Sequence, residues 1–344
     1  MKAIVFHGIQ NVTLDEIPEP EIKNQTDAVI KITTASICTS DIHVKHEKSP
    51  FPPGRIMGHE YCGVVVRTGN QVRNLHAGDR VAGHPVANCG YCFYCRHGQH
   101  SLCTHAGING GPEFTEYIQA HAEYARIPFA DNTLDKIPEG VPDEDVIFTG
   151  DILSTGLTGL LRTNVMFGDR IAVFGAGPVG LCAIACAPLF GPRMVIAIDT
   201  LSNRLEIARK YGAITINAAE KDPVTGIMEL TDGIGVDAGI EAAGSAATLK
   251  ACLKATRHGG QVSILGTVPQ DFLFDLSDRF FDIFSLSIGL GDQNHTEELM
   301  MLIKNGKLNL KPLITHTFPL AKAMEAYEVM EKRRDGCIKV LLKP

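Results

Sequence analysis

The sequence predicts an α/β protein in which a doubly wound parallel sheet is joined to a second, β-rich domain. Three observations carry that expectation. Residues 1–150 are rich in β-branched runs divided by Pro, Gly and Asn. From about residue 150, apolar strands alternate with helical patterns, as βαβ units do when helices cover both faces of a sheet. Inside that second stretch, Gly175-Ala176-Gly177-Pro178-Val179-Gly180 stands between an apolar strand and an apolar helix.

Taken in order, AIVF, AVIKIT, YCGVVVRTG, DRVAGHPV and TEYIQAH read as strands of a first domain over 1–150. Over 151–289 the strands DRIAVFG, MVIAID, GVDAGIEAAG and QVSILG alternate with the helical segments PVGLCAIACAPLF, SNRLEIARKYG and AATLKACLKATRHGG. Residues 290–344 then carry two helices, EELMMLIKNGK and LAKAMEAYEVMEK, and a closing strand, CIKVLLK. No internal repeat and no low-complexity linker interrupts this order.

Composition excludes several classes. A chain of 344 residues buries a sizeable core without disulfides. A net charge of −7 with no basic stripe argues against nucleic acid as a partner. Residues 171–192 carry no charge and are long enough to cross a bilayer, but the Gly-Ala-Gly-Pro in their middle splits them into a strand, a turn and a helix, so no membrane span is expected. The apolar part of MKAIVFHGIQ is too short for a signal-peptide core, and a cytoplasmic protein is expected. In a reducing compartment a cluster of cysteines points to metal or catalysis and away from disulfides.

The glycine run fits G-x-G-x-x-G and lies where a dinucleotide fingerprint must lie. Gly175 permits the tight turn, Gly177 lets a pyrophosphate approach the backbone, and Gly180 lets helix and strand pack closely. Pro178 and Val179 complete the turn at the helix N-terminus, whose N–H groups face the phosphates. Asp199 ends the next strand 24 residues after Gly175. A carboxylate there accepts from both adenosine ribose hydroxyls and repels a 2′-phosphate. No Arg follows it directly, and Arg204 lies five residues on, so NAD is expected in preference to NADP.

Four cysteines follow the pattern Cys89-x2-Cys92-x2-Cys95-x7-Cys103. Four thiolates can close a tetrahedron around zinc and leave no position for substrate, which makes a structural site. An iron–sulfur cluster is the rival, but no proline follows the last cysteine and there is no second ligand set. A working ion must then sit elsewhere. Cys38, in SICTSDIH, and His59, in GHE, are the candidates, both expected in loops that follow strands. The remaining cysteines, Cys62, Cys182, Cys186, Cys252 and Cys337, are expected to pack as small apolar residues. His84, His97, His100 and His105 are expected at the surface around the lobe.

These motifs together resemble the zinc-dependent medium-chain alcohol dehydrogenase family. The resemblance rests on C-T-S-D-I-H at 38–43, G-H-E at 58–60, the four-cysteine lobe, G-D-I-L-S-T-G at 150–156, and the glycine loop with Asp199, and it spans nearly the whole chain. It is strongest toward the bacterial branch that holds formaldehyde-dehydrogenase-like and secondary-alcohol-oxidising enzymes. It implies a GroES-like catalytic domain over 1–150 and 290–344, a Rossmann domain over 151–289, and an active site in the cleft between them. It implies two zinc ions per chain. Cys38, His59 and Asp151 would hold the catalytic one, with Glu60 as a fourth ligand or a charge beside it. Many members carry a second Cys where this chain has Asp151, and that aspartate could instead cap the following helix. Ser40 would take the proton of the alcohol and pass it through the nicotinamide ribose to His43, whose imidazole, with an unperturbed pKa of about 6.5, suits the exit. Thr155 would pack behind the nicotinamide, and Ala242 and Leu265 would line the cofactor. Ser40, Pro85 and the loop Ala106–Glu113 would shape the substrate pocket. The implied activity is reversible hydride transfer from a small, secondary alcohol to NAD, giving a ketone or aldehyde. Formaldehyde oxidation or dismutation is the alternative within the enzyme class, and a non-catalytic dinucleotide-binding protein the alternative outside it. The family forms dimers and tetramers, and QVSILGTVP at 261–269 is expected to end the parallel sheet as the edge that pairs across a two-fold axis.

Overall fold

The computed structural model describes residues 1–46, 52–106, 118–268, 272 and 280–344. The chain divides into two compact units, one made of Met1–Asp151 with Asp292–Pro344 and the other of Ile152–Gly291.

The first unit begins with β1 (Lys2–Gly8), β2 (Asn11–Glu16), β3 (Ala28–Ile37), β4 (Arg55–Ile56), β5 (Glu60–Thr68), β6 (Arg80–Gly83), β7 (Tyr124–Ile127) and β8 (Leu134–Lys136). The second unit contributes β9 (Arg170–Phe174), β10 (Met194–Asp199), β11 (Ile214–Asn217), β12 (Val236–Glu241), β13 (Thr256–Ile264) and β14 (Ser285–Ile288). The chain then returns to the first unit with β15 (Ile314–Pro319) and β16 (Lys339–Lys343).

In the first unit β2-β1-β4 form a small sheet, and β15-β16-β3-β5-β6-β8 form a larger one, with β7 also paired to β3. The larger sheet wraps a core of Ile30, Ile32, Tyr61, Val65, Val340 and Leu342. Burial along β3 is nearly continuous, which explains why AVIKITTASI is apolar without strict alternation. Its antiparallel register with β5 sets Ser36 opposite Glu60. Cys38 leaves the end of β3 and His59 enters the start of β5, so the register alone carries both to the same end of one strand pair. His59 lies, as expected, in a loop after a strand: residues 57–59 join the two-residue β4 to the long β5.

In the second unit six parallel strands run β11-β10-β9-β12-β13-β14. The order reverses between β9 and β12, and that switch point is where sheets of this kind bind ligands at their carboxyl ends. The chargeless stretch 171–192 resolves into β9, the helix Pro178–Cys186 and a 3-10 turn at Ala187–Phe190. Every residue from Gly180 to Cys186 is buried, so the helix needs no polar face. Among the described residues no helix is long and apolar enough to cross a membrane.

Three expectations change. TEYIQAH is no strand over its described part, 118–121; residues 115–117 lie outside the described residues. Its backbone is committed elsewhere, Ala120 N–H donating to Gly58 O (3.0 Å) and His121 N–H to Met57 O (2.8 Å), and the strand forms later as β7. β13 starts at Thr256, five residues before QVSILG, so TRHGG belongs to a strand and not to the preceding helix, which ends at Ala255. Finally, 261–269 does not end the sheet: β13 lies between β12 and β14, and β14 is the edge. Four residues with the mostly exposed pattern of Ser285–Ile288 gave no periodic signal. Pro269 lies outside the described residues.

Candidate metal and dinucleotide sites

Cys89, Cys92, Cys95 and Cys103 are all buried, none is in a disulfide, and their sulfurs lie within 4.8 Å of one another. Thiolates about 2.3 Å from a tetrahedral ion stand about 3.8 Å apart, and the Cys89 and Cys95 sulfurs are 3.9 Å apart. Backbone N–H groups point at these sulfurs: Cys92 donates to Cys89, and both Cys89 and His105 donate to Cys103, each at 3.4 Å. Such donors favour the ionised form that a metal needs. Burial opposes ionisation of Cys92, but the N–H groups of Cys95 and Thr104 outweigh it and hold this thiol at about 5. Four soft, enclosed donors with no fifth position fit zinc in a structural role.

A second cluster of one sulfur, one imidazole and one carboxylate forms where Cys38, His59 and Asp151 converge, again within 4.8 Å. His59 Nε2 lies 3.2 Å from Asp151 Oδ2 and 3.3 Å from Ser40 Oγ. On the other side of the ring, Nδ1 faces Asp41 Oδ1 at 3.5 Å, and Asp41 Oδ2 accepts from the Cys38 N–H at 2.9 Å. One buried carboxylate thus steadies both ligand-bearing segments and leaves Nε2 for an ion. Burial raises the Asp41 pKa, but His59 opposite outweighs it and holds the carboxyl well below the usual range. Asp41 was not singled out from the sequence; its place in the first turn of the helix Thr39–His46, three residues after Cys38, was the available signal.

Asp151 lies in a π-helical turn, Thr149–Leu153, and not at a helix N-cap, which for the helix Ser154–Arg162 is Leu153. Single π turns redirect one side chain and recur at functional sites. Three donors of mixed type, with Cys38 half-buried and Asp151 19 % exposed, fit an open zinc site that keeps a position for a further ligand. Ser40 and His43 are both exposed, three positions apart on the helix Thr39–His46.

Glu60 stays outside that cluster. It forms a buried ion pair with Lys339, which also donates to Ile37 O (2.9 Å) and stands 5.4 Å from the Phe148 ring centre. Burial pushes the Glu60 carboxyl up, against the pull of Lys339. Glu60 Oε1 is buried with no hydrogen-bond partner, an orphaned atom beside two ligand segments. A lysine inside the apolar strand CIKVLLK was the sequence signal for this pair.

His84 corrects an expectation: it is buried, 2.8 Å from Asp135, with Thr296 Oγ1 at 3.3 Å. His97 and His105 are exposed and His100 half-buried. The five remaining cysteines are buried, as expected of small apolar residues. Pro85 and Ala106 are buried, while residues 107–113 of the expected pocket loop lie outside the described residues.

In the second unit Gly175 adopts φ +95°, and a Cβ there would sit 2.7 Å from Ala243 N. A Cβ on Gly180 would meet Gly175 O at 1.8 Å, so helix and strand touch through that glycine. A Cβ on Gly177 would meet nothing nearer than Arg204 Nη1 at 3.6 Å, so space remains above it for a ligand. Pro178 begins the helix, followed by Val179. Asp199 accepts from Ala176 N–H (2.8 Å) through one oxygen and from Thr200 and Leu201 N–H (2.8 and 2.9 Å) through the other, with Arg204 Nη1 at 3.7 Å. Ala242 and Leu265 directly follow β12 and the end of β13, anchored by Ala242 N–H to Phe174 O (2.8 Å) and Leu265 N–H to Glu241 O (2.7 Å). Thr155 lies on the helix Ser154–Arg162 against Gly291. Sequence reasoning missed Glu241, which is fully buried at the end of β12. Its Oε1 accepts from Ala243 N–H, Gly244 N–H and Thr248 Oγ1 at 2.8–3.0 Å.

Residues 24–132 match the family model "Alcohol dehydrogenase GroES-like domain", and residues 178–305 match "Zinc-binding dehydrogenase". An alcohol dehydrogenase from Cupriavidus necator is 35% identical over 370 residues, covering 100% of this chain and 99% of that protein. A solved alcohol dehydrogenase from Thermus sp. ATN1 is 38% identical with a TM-score of 0.94, covering 100% and 99% of the two chains. A solved zinc-binding dehydrogenase from Sinorhizobium meliloti 1021, bound to NADP, is 27% identical with a TM-score of 0.88, covering 100% and 99%.

Proposed function

Since the chain belongs to the zinc-dependent medium-chain alcohol dehydrogenase family, we propose that it is an NAD-dependent enzyme that oxidises a small, secondary alcohol reversibly at the Cys38–His59–Asp151 site. The observation that carries this reading is the convergence, within 4.8 Å, of three donors drawn from distant parts of the sequence. When bound, zinc supplies Lewis acidity toward an alcohol or carbonyl oxygen, and the dinucleotide supplies the hydride acceptor. The residues do the rest. Thiolate and carboxylate together match the charge of a divalent ion. Asp41 fixes the His59 ring so that Nε2 faces inward. Ser40 Oγ, beside that nitrogen, takes the hydroxyl proton, and His43 on the same helix releases it to water. Glu60, tied to Lys339, stands next to the site without entering it. In the balanced reaction the alcohol loses a hydride to NAD and a proton to solvent, giving the ketone. The lobe cysteines hold a second zinc that orders their loop.

The test is a panel of linear, branched and secondary alcohols with NAD and NADP, read as NADH or NADPH absorbance, beside zinc analysis of the same preparation. About two zinc ions per chain and turnover best with secondary alcohols and NAD support the reading. Zinc without alcohol-dependent reduction of either cofactor overturns it.

Asp199 selects NAD, with Arg204 beside it. Asp199→Gly is expected to shift the ratio of kcat/KM values toward NADP by about tenfold or more, roughly 1.4 kcal/mol. The carboxylate no longer repels the 2′-phosphate, and the guanidinium 3.7 Å away loses its competitor. A wild type that already favours NADP counts against this role.

The chain also forms a homo-oligomer through β14. That strand is the sheet edge, and Phe280, Phe281, Ile283 and Ile288 around it are each more than 70 % exposed. An apolar edge of this kind calls for a partner strand. Sedimentation as a monomer at micromolar concentration contradicts this.

A further inference from the structure

His121 is fully buried and hydrogen-bonded at both ring nitrogens. Nε2 lies 3.1 Å from Ser36 O, a carbonyl, so it is the donor there. Nδ1 lies 2.8 Å from Tyr327 Oη. These two partners fix the orientation of the ring, and burial lowers its pKa from the ordinary value. The imidazole also presses on Gly58: a Cβ on that glycine would stand 2.0 Å from the ring. Gly58 has φ +86° and directly precedes His59, while Ser36 lies two residues before Cys38. His121 therefore touches the approach to both ligand segments at once. Its own backbone closes the arrangement through His121 N–H to Met57 O and Ala120 N–H to Gly58 O. Tyr327, 1 % exposed on the helix Ala323–Lys332, braces the ring edge-on at 86°.

We propose that His121, braced by Tyr327, is a positioning residue: a buried wedge that sets the separation of Cys38 and His59 and so the metal affinity and geometry of the open site. It touches neither substrate nor cofactor. The inference rests on the proposed role of Cys38 and His59 as ligands.

Cobalt-loaded protein tests it. The difference between wild type and Cys38→Ser isolates the thiolate-to-cobalt absorption of the open site from that of the lobe. Tyr327→Phe, which keeps shape and removes only the brace, and His121→Asn are the variants. Both are expected to shift that band and to speed cobalt loss to a chelator from the open site by about tenfold, the range that partners behind metal ligands command. The lobe absorption and the far-ultraviolet circular dichroism stay unchanged and report that the unit is folded. A band and a loss rate equal to wild type in both variants overturn the wedge. Lobe and open-site signals that fall together make His121 a general structural residue and overturn it too. If Cys38→Ser itself leaves the wild-type spectrum unaltered, the ligand assignment fails first, and the inference with it.

Discussion

Cys38→Ser is expected to remove one zinc per chain and to lower alcohol oxidation by about a thousandfold or more. The size follows from the chemistry of the donors. A thiolate is a charged, soft ligand, whereas a serine hydroxyl stays protonated at neutral pH and binds weakly. Only His59 and Asp151 then remain of the three converging donors, and their combined charge no longer balances a divalent ion. Lewis-acid stabilisation of developing charge is worth several kcal/mol, and each ~1.4 kcal/mol is a factor of ten in rate. A loss of about 4 kcal/mol is thus about three decades. Cys38 is half-buried just past the end of β3 and no part of the strand core, so the fold is expected to survive, with the midpoint lowered only by the stabilisation that the lost ion supplied. His59→Ala makes the matching loss. It also leaves Asp41 buried without the imidazole it faces, so a larger fall in stability accompanies it. Metal analysis and NADH absorbance on the same samples decide the matter: zinc content equal to wild type in Cys38→Ser removes this residue from the ligand set.

How much of this was legible in the sequence depended on whether the signal was local. The glycine loop was legible because each glycine answers a local steric demand. Gly180 was read as a close contact of helix and strand, and a Cβ there would meet Gly175 O at 1.8 Å. The four cysteines were legible because their spacing along one segment is itself the geometry. Cys38 and His59 were candidates from their own segments, but their grouping with Asp151 came through resemblance; no local rule joins positions 38, 59 and 151, and only the register of β3 with β5 and the π turn bring them together. The residues behind them were silent for the same reason. Lys339 meets Glu60, and Tyr327 meets His121, across 279 and 206 residues. β14 was missed because an exposed edge of four residues has no apolar period. His84 was misplaced at the surface because its partner Asp135 lies 51 residues on.

Removing a lobe cysteine is expected to have the opposite signature. Cys103 is fully buried, and its sulfur accepts from the N–H groups of Cys89 and His105. Cys103→Ser is expected to lose the other zinc and to lower the thermal midpoint of the first unit by about 10 °C. An ion that binds only the folded chain stabilises it by ~4 kcal/mol when present at a thousand times its Kd, and each kcal/mol moves the midpoint of a domain of this size by about 2–4 °C. The damage spreads along identifiable contacts. Ser101 Oγ donates to Asp292 Oδ1 at 2.9 Å, and Asn294 Nδ2 donates to Gly98 O at 2.6 Å, so the lobe holds the residues at which the chain re-enters this unit. None of these groups belongs to the Cys38–His59–Asp151 cluster. At 10 °C, well below the lowered midpoint, Cys103→Ser should therefore keep turnover within a few-fold of wild type. The two variants separate the two ions by turnover at 10 °C, where both are folded: lost for Cys38→Ser, kept for Cys103→Ser. If Cys103→Ser, folded at 10 °C by circular dichroism, loses turnover by as much as Cys38→Ser does, the division of labour is wrong, and the four-cysteine ion must be counted as part of the catalytic machinery.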